Sequence, residues 1–155
     1  MHVKIIPFKN KHQPLVDVLL HKINAEFERS MFPDASVPMK TVAHAIGNQF
    51  WVAVQNDELI GTIGVMLKKD HSAVVKSLFV AKEYRGTEVA SLLLTKLVEH
   101  CKKKKVQHIY LGTMSQMKAA HRFYEKNGFI RIEETDVPLD LGMNPVDDVF
   151  YRLDL

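Results

Sequence analysis

The hydrophobic period of this chain switches twice between residues 50 and 111, and that double switch limits its fold more than any other feature. Residues 50–54, 59–67 and 73–80 are strand-like runs, parted by the turn signals Gln55-Asn56-Asp57 and Lys68-Lys69-Asp70-His71. Gly61 and Gly64 lie inside the second run. From residue 87 to about 102 the apolar spacing becomes three and four, with Val89, Leu92, Leu93, Leu97 and Val98 on one stripe, which marks an amphipathic helix. Residues 106–111 read as a strand again. Runs joined by tight turns make an antiparallel meander, whereas strand, helix and strand make a βαβ unit with parallel strands, here residues 73–111. A chain holding both predicts a mixed sheet of the α+β or α/β class.

The flanks add simpler elements. Residues 3–8 form a β-branched run closed by Pro7, a first strand. Residues 13–29 place Leu15, Val18, Leu19, Ile23 and Phe27 at helical spacing, with Pro14 in the first turn. Residues 31–39, with Pro33 and Pro38, read as a loop, and a weaker helix covers 41–46 up to Gly47. A short helix over 117–126 is stopped by Asn127-Gly128, a left-handed cap signal. Strands over 129–132 and 149–155 follow, separated by a polar, proline-bearing stretch. No repeat, low-complexity segment or linker interrupts the chain, so residues 1–155 are expected to form a single domain.

Composition narrows the function classes. At 155 residues with 46% apolar content, the chain can bury roughly two thirds of its unfolded surface without a metal or disulfide. One cysteine, Cys101, excludes an intramolecular disulfide and favours a reducing compartment. No run of eighteen apolar residues exists and the N-terminus is not a secretory signal, so a cytoplasmic location without membrane contact is expected. The run Lys102-Lys103-Lys104-Lys105 supplies the whole of the +3 formal excess and suits a helix end; a patch for a phosphate-bearing partner is the alternative. Dispersed aromatic residues argue against nucleic acid. The histidines argue against a metal, since none pairs at i, i+4 around a helical glutamate and His100, Cys101 and His108 form no recognised ligand set.

The segment Phe79-Val80-Ala81-Lys82-Glu83-Tyr84-Arg85-Gly86-Thr87-Glu88-Val89-Ala90 carries the first chemical signal. A turn that opens a helix after a strand gathers unpaired N–H groups and the positive end of the helix dipole at one point, which suits a phosphate. Gly86 lets the backbone approach and Ala90 permits close helix packing. The segment is neither a P-loop nor a dinucleotide fingerprint, and a purely structural turn is the competing reading.

About forty residues on comes Lys118-Ala119-Ala120-His121-Arg122-Phe123-Tyr124-Glu125-Lys126-Asn127-Gly128-Phe129. With this second block the chain resembles the Gcn5-related N-acetyltransferase superfamily. The family's V-x-x-x-Y-R-G-x-G-x-G/A is matched by Val80, Tyr84, Arg85, Gly86 and Ala90, and its A-x-x-Phe/Leu-Tyr-x-Lys-x-Gly-Phe by Ala120, Phe123, Tyr124, Lys126, Gly128 and Phe129. The resemblance covers residues 73–132. It implies a three-layer fold whose central twisted, mostly antiparallel sheet has about six or seven strands, with about four helices. It also implies acetyl-CoA as acetyl donor. Backbone groups of Phe79 and Val80 would pair with the pantetheine arm where central strands splay. The amides of Arg85, Gly86, Thr87, Glu88, Val89, Ala90 and Ser91 would receive the pyrophosphate, and Tyr124 would return a proton to the departing thiolate as general acid.

Three positions depart from the family. Glu88 stands where a second glycine is common, Met117 where many members have an asparagine that bonds the cofactor, and Lys76 where numerous relatives have a glutamate that helps deprotonate the amine. No base is therefore evident; Glu26, Glu28 and His44 are the candidates. Cys101, late in a helix, is not expected to be a nucleophile, so direct attack in a ternary complex is the expected route. The expected function is acetyl transfer to a primary amine of a small molecule or of a protein or peptide, and a non-catalytic acyl-CoA-binding sensor or protein-interaction regulator is the rival. Specificity in the family resides in segments that correspond here to residues 25–39 and 137–148. The acids Asp136, Asp140, Asp147 and Asp148 would suit a cationic acceptor, solvation being the plainer reason for them. Association through the last strand into a homodimer is common in relatives, and the alternating Val149-Phe150-Tyr151-Arg152-Leu153 could serve it, although an intramolecular strand explains the alternation equally.

Overall fold

A computed structural model describes residues 2–26 and 38–155. The elements run β1 (Lys4–Pro7), α1 (Gln13–Asn24), α2 (Met39–Val42), β2 (Asn48–Gln55), β3 (Glu58–Leu67), β4 (Ser72–Val80), α3 (Val89–Lys103), β5 (His108–Thr113), α4 (Lys118–Lys126), β6 (Ile130–Ile132) and β7 (Val149–Asp154). Among the described residues the strands form one seven-stranded sheet in the order β1-β2-β3-β4-β5-β7-β6. The expected mixed sheet is present, with four helices among the described residues. The chain divides into two compact units, residues 1–65 with 77–99, and residues 66–76 with 100–155.

In the first unit β1 pairs antiparallel with β2, from Lys4 opposite Val54 to Pro7 opposite Trp51. The β2–β3 turn is two residues long, and Asn56 and Asp57 both adopt positive φ, +50° and +64°. That geometry belongs to a type I′ hairpin, for which asparagine and aspartate are among the few suitable residues. Phe50, Trp51, Val52, Ala53, Ile60, Ile63, Val89, Leu93, Leu94 and Leu97 are buried. The α3 stripe thus turns slightly from the one read in the sequence, because Leu92 and Val98 are only partly buried and Leu94 is buried instead. The face of α1 differs more. Val16, Leu19 and Ile23 are buried, whereas Leu15 and Val18 stay 42% and 53% exposed. Phe27 and Glu28 lie outside the described residues, as does most of the 31–39 loop. The helix expected over 41–46 is instead one turn, Met39–Val42, begun just after Pro38 and followed by turns up to Gly47.

Two features of β3 and β4 bear on the site. A β-carbon on Gly61 would come within 3.0 Å of both Leu93 Cδ1 and the Phe79 carbonyl oxygen, so the missing side chain lets α3 and the end of β4 close in. Ser77 interrupts β4 with φ +55°, and the buried Thr62 hydroxyl donates to the Ser77 carbonyl at 2.6 Å. A side chain thus meets the carbonyl at the point where the regular strand geometry breaks.

In the second unit β4 and β5 run parallel, pairing Ser72, Ala73 and Val74 with His108, Ile109 and Tyr110. This is the parallel pairing expected of the βαβ unit. Asp70 and His71, both at φ +57°, close the turn into β4. β7 pairs antiparallel with β5 along residues 149–154 and with β6 along residues 150–152. The last strand is therefore hydrogen-bonded on both sides within the chain, as its reading as an intramolecular strand expects. Leu141 anchors the stretch before β7 by packing with Val74 and Tyr110, joined by Ile132, Val137 and Met143. Lys102–Lys105 are exposed at the end of α3, which closes with Lys105 at φ +60°.

Candidate active site

The strand-turn-helix of the first unit is formed as its sequence demands. The Ala81 N–H donates to the Ile60 carbonyl at 2.8 Å and fastens the end of β4, after which Lys82–Tyr84 make one 3-10 turn. Gly86 sits at φ +75° with nothing within 4 Å of where a β-carbon would be, so its freedom serves the turn and leaves open space. The Arg85 and Thr87 amides donate back to the Lys82 and Tyr84 carbonyls at 3.3 and 3.4 Å. The first bond of α3 runs from the Leu92 N–H to the Glu88 carbonyl at 2.9 Å, so Glu88 is the residue that starts the helix. The amides ahead of Leu92 have no carbonyl one turn back to bond, and α3 is fifteen residues long, so its dipole points a positive end at the same place. The Val89 N–H reaches only the Thr87 hydroxyl, at 3.5 Å. Glu88, Arg85 and Ser91 are exposed, Ala90 is partly so and Val89 is buried. Phe79 and Val80 are half-buried, unlike residues 72–75 of the same strand, which are buried.

Arg85 ties this turn to the end of α1. Its guanidinium grips Glu26 with both nitrogens, at 2.5 and 2.8 Å, while its Nε donates to the Val80 carbonyl at 3.1 Å. Such a bidentate pair is the strong form of a charged contact, and it occupies Glu26, one of the residues nominated as a base. His44 is elsewhere, exposed, with Nε2 2.9 Å from Asn10 Oδ1 and its ring 6.4 Å from that of Phe8.

Tyr124 lies in the second unit. The Phe129 and Gly128 amides donate to the Tyr124 and Glu125 carbonyls at 3.0 and 3.2 Å, and Gly128 takes φ +91°. These two bonds make a Schellman cap, and the Tyr124–Phe129 ring contact at 5.7 Å is its usual hydrophobic companion. The Asn-Gly signal thus fixes the backbone that carries Tyr124. The Phe123 and Tyr151 rings pack against it at 5.7 and 5.8 Å, and Tyr151 is itself held by its hydroxyl donating to Glu125 at 2.6 Å. Burial, then the charge of Asp147, then Tyr151, hold the Tyr124 hydroxyl well above the ordinary tyrosine range. It keeps its proton at any working pH.

Of the three departures, Met117 is the half-buried residue just before α4, and its carbonyl takes the His121 N–H at 3.2 Å. Lys76 donates to the Gly142 carbonyl at 3.0 Å, and burial lowers its pKa. Cys101 is fully buried, which pushes its thiol up to about 11, so it holds no thiolate for nucleophilic attack. No three of the described His, Cys, Asp and Glu residues converge as metal ligands. Sequence reasoning missed Asp147. It grouped that residue with the solvated acids of the late loop, yet its side chain lies against Gly112 of β5, which is the place where a β-carbon would collide with it. The signal that could have found it is Gly112 itself, a glycine inside a strand.

A profile of the acetyltransferase (GNAT) family matches residues 18–129, and the chain belongs to that family. That family is one of acetyltransferases, and a family member from Elizabethkingia anophelis has been solved with acetyl-CoA bound. The chain is similar to N-alpha-acetyltransferase 30 of Schizosaccharomyces pombe, 31% identical over 137 residues covering 83% of this chain and 85% of that one. It is also similar to the N-acetylaspartate synthetase of Danio rerio, 29% identical over 110 residues, or 69% of this chain and 39% of that protein. The chain therefore spans about two fifths of the length of the latter relative. A GNAT-family acetyltransferase from Staphylococcus aureus has the same fold, with TM-score 0.88, 28% identity and 99% of each chain covered.

Proposed function

We propose that the chain transfers the acetyl group of acetyl-CoA to a primary amine of a small-molecule or peptide acceptor by direct attack, with both substrates bound together. The observation that carries this reading is the start of α3, where a row of amides and the positive end of a fifteen-residue helix follow a half-exposed strand end. Gly86, Glu88, Val89, Ala90 and Ser91 would receive the pyrophosphate, with Arg85 and Thr87 shaping the turn by their own bonds. Phe79 and Val80 would meet the pantetheine arm along the half-exposed end of β4. The acceptor group shared by the names of the two relatives is the nitrogen of an amino acid or an α-nitrogen, so an α-amine is the acceptor to test first.

Tyr124 would hold the proton that the coenzyme A thiolate needs. A thiol titrates near about 8.5, and the Tyr124 hydroxyl lies far above its ordinary range. Outright transfer to sulfur is therefore uphill unless another proton arrives at the phenol, so Tyr124 serves as a hydrogen-bond donor that relays.

Thermal melting with and without acetyl-CoA tests the first half. At a hundred times its dissociation constant the cofactor adds about 2.7 kcal/mol, several degrees for this size of chain, and an unmoved transition at millimolar cofactor would sink the proposal. Thiol release over a panel of amino acids, short peptides and polyamines then tests turnover. A Tyr124→Phe variant is expected to lose about 10²-fold in kcat with its melting shift retained; an unchanged rate would remove Tyr124 from the mechanism.

A further inference from the structure

An alkylammonium must shed a proton before it can attack a thioester, and the groups nominated from the sequence do not offer themselves. Glu26 is gripped by Arg85, His44 sits beside Asn10, and Lys76 is a cation. In the second unit a carboxylate is packed against β5. A β-carbon added to Gly112 would lie 2.5 Å from Asp147 Oδ2 and 2.9 Å from both Asp147 Cβ and Cγ, so the whole Asp147 side chain rests on β5. The loop on either side is pinned. The Asp147 N–H donates to the Asn144 carbonyl at 3.0 Å, the Asp148 N–H to the Thr113 carbonyl at 3.0 Å, and Asp148 Oδ1 takes the Ser115 N–H at 2.8 Å.

The charged and titratable groups that act on Asp147 come from each neighbouring element. Lys76 of β4 favours its charged form, Asp148 on its own loop opposes it, and Tyr124 of α4 senses its charge; an Asn144 backbone hydrogen bond also favours the carboxylate, and on β5 the side chain lies against Gly112. Burial outweighs the favourable contacts and raises the carboxyl to about 6. A base in that range is mostly ionised at neutral pH and still basic enough to accept a proton, and the match is closer for an α-ammonium near about 7.7–8.0 than for a lysine near about 10.4.

We infer that Asp147 is the general base that deprotonates the acceptor ammonium, and that Lys76 is a positioning residue that keeps it ionised. This rests on the acetyl-transfer proposal. The Asp147 carboxylate takes one proton from the ammonium, and the freed lone pair attacks the thioester carbonyl carbon. As the tetrahedral adduct collapses the C–S bond breaks. The second proton leaves the nitrogen for the Tyr124 hydroxyl, which passes its own proton to sulfur, so the products are the amide and the thiol. Asp147 then releases its proton to water.

The test is the pH dependence of kcat/KM between pH 5 and 9, for one α-amine acceptor, in the wild type, Asp147→Asn, Gly112→Ala and Lys76→Met, with the acetyl-CoA melting shift measured on each. The wild type should lose activity as pH falls through about 6. Asp147→Asn should drop by about 10²- to 10⁴-fold and lose that limb while still shifting with acetyl-CoA. Gly112→Ala, which displaces the carboxylate, should lower kcat in the same direction. Lys76→Met should move the limb to higher pH, because a cation favouring the carboxylate is gone. A limb retained in Asp147→Asn, or a rate within about threefold of wild type, overturns the assignment. Should Asp147→Asn not fold, Lys76→Met decides, and an unmoved limb overturns the assignment. A wild type that shifts with acetyl-CoA but acetylates no amine overturns the acetyl-transfer proposal itself, and Asp147 with it.

Discussion

At the scale of single residues, Thr62 is the polar side chain that an apolar strand would not be expected to keep. It is fully buried in β3, and its hydroxyl meets the carbonyl of Ser77, a non-glycine residue in the left-handed region in mid-strand. That conformation costs roughly 1–2 kcal/mol and persists where surrounding contacts over-determine it. Thr62→Val keeps the shape and leaves the Ser77 carbonyl without this donor, so it should cost about 1–3 kcal/mol in urea or thermal unfolding. A Ser77→Gly change in the same background should recover part of the loss, since glycine adopts the angle freely. Equal stability of Thr62→Val and wild type would show that the Ser77 conformation needs no such support.

Element scale shows what could be read in the chain and what could not. The cap of α4 was legible because Asn127-Gly128 has one good conformational use, and Gly128 takes it. Gly128→Ala should cost about 1–2 kcal/mol from its left-handed φ, since the new methyl would meet only Leu153 at an ordinary 3.4 Å. A melting temperature unchanged by that substitution would mean the helix end can re-form without the cap. The buried face of α1 was not legible. Leu15 and Val16, then Val18, Leu19 and Leu20, put apolar groups almost all round the first turns, so two stripes fit a helical period equally. Which of them turns inward is decided by what the helix docks on, and that information sits tens of residues away. The same holds for Asp147, whose neighbours in sequence are loop residues and whose significant neighbours are Gly112, Lys76 and Tyr124.

For the molecule as a whole, the change of period seen in the sequence is the sheet's change of direction, from the hairpins around β2 and β3 to the parallel β4–β5 pair. The two sequence blocks that carried the family resemblance are one from each compact unit. Cys101, the chain's one thiol, has a practical consequence. Fully buried, with its titration pushed to about 11, it offers almost no thiolate to a disulfide reagent or to peroxide. Colour developed by such a reagent during turnover should therefore count chiefly coenzyme A released from acetyl-CoA, with little contribution from Cys101.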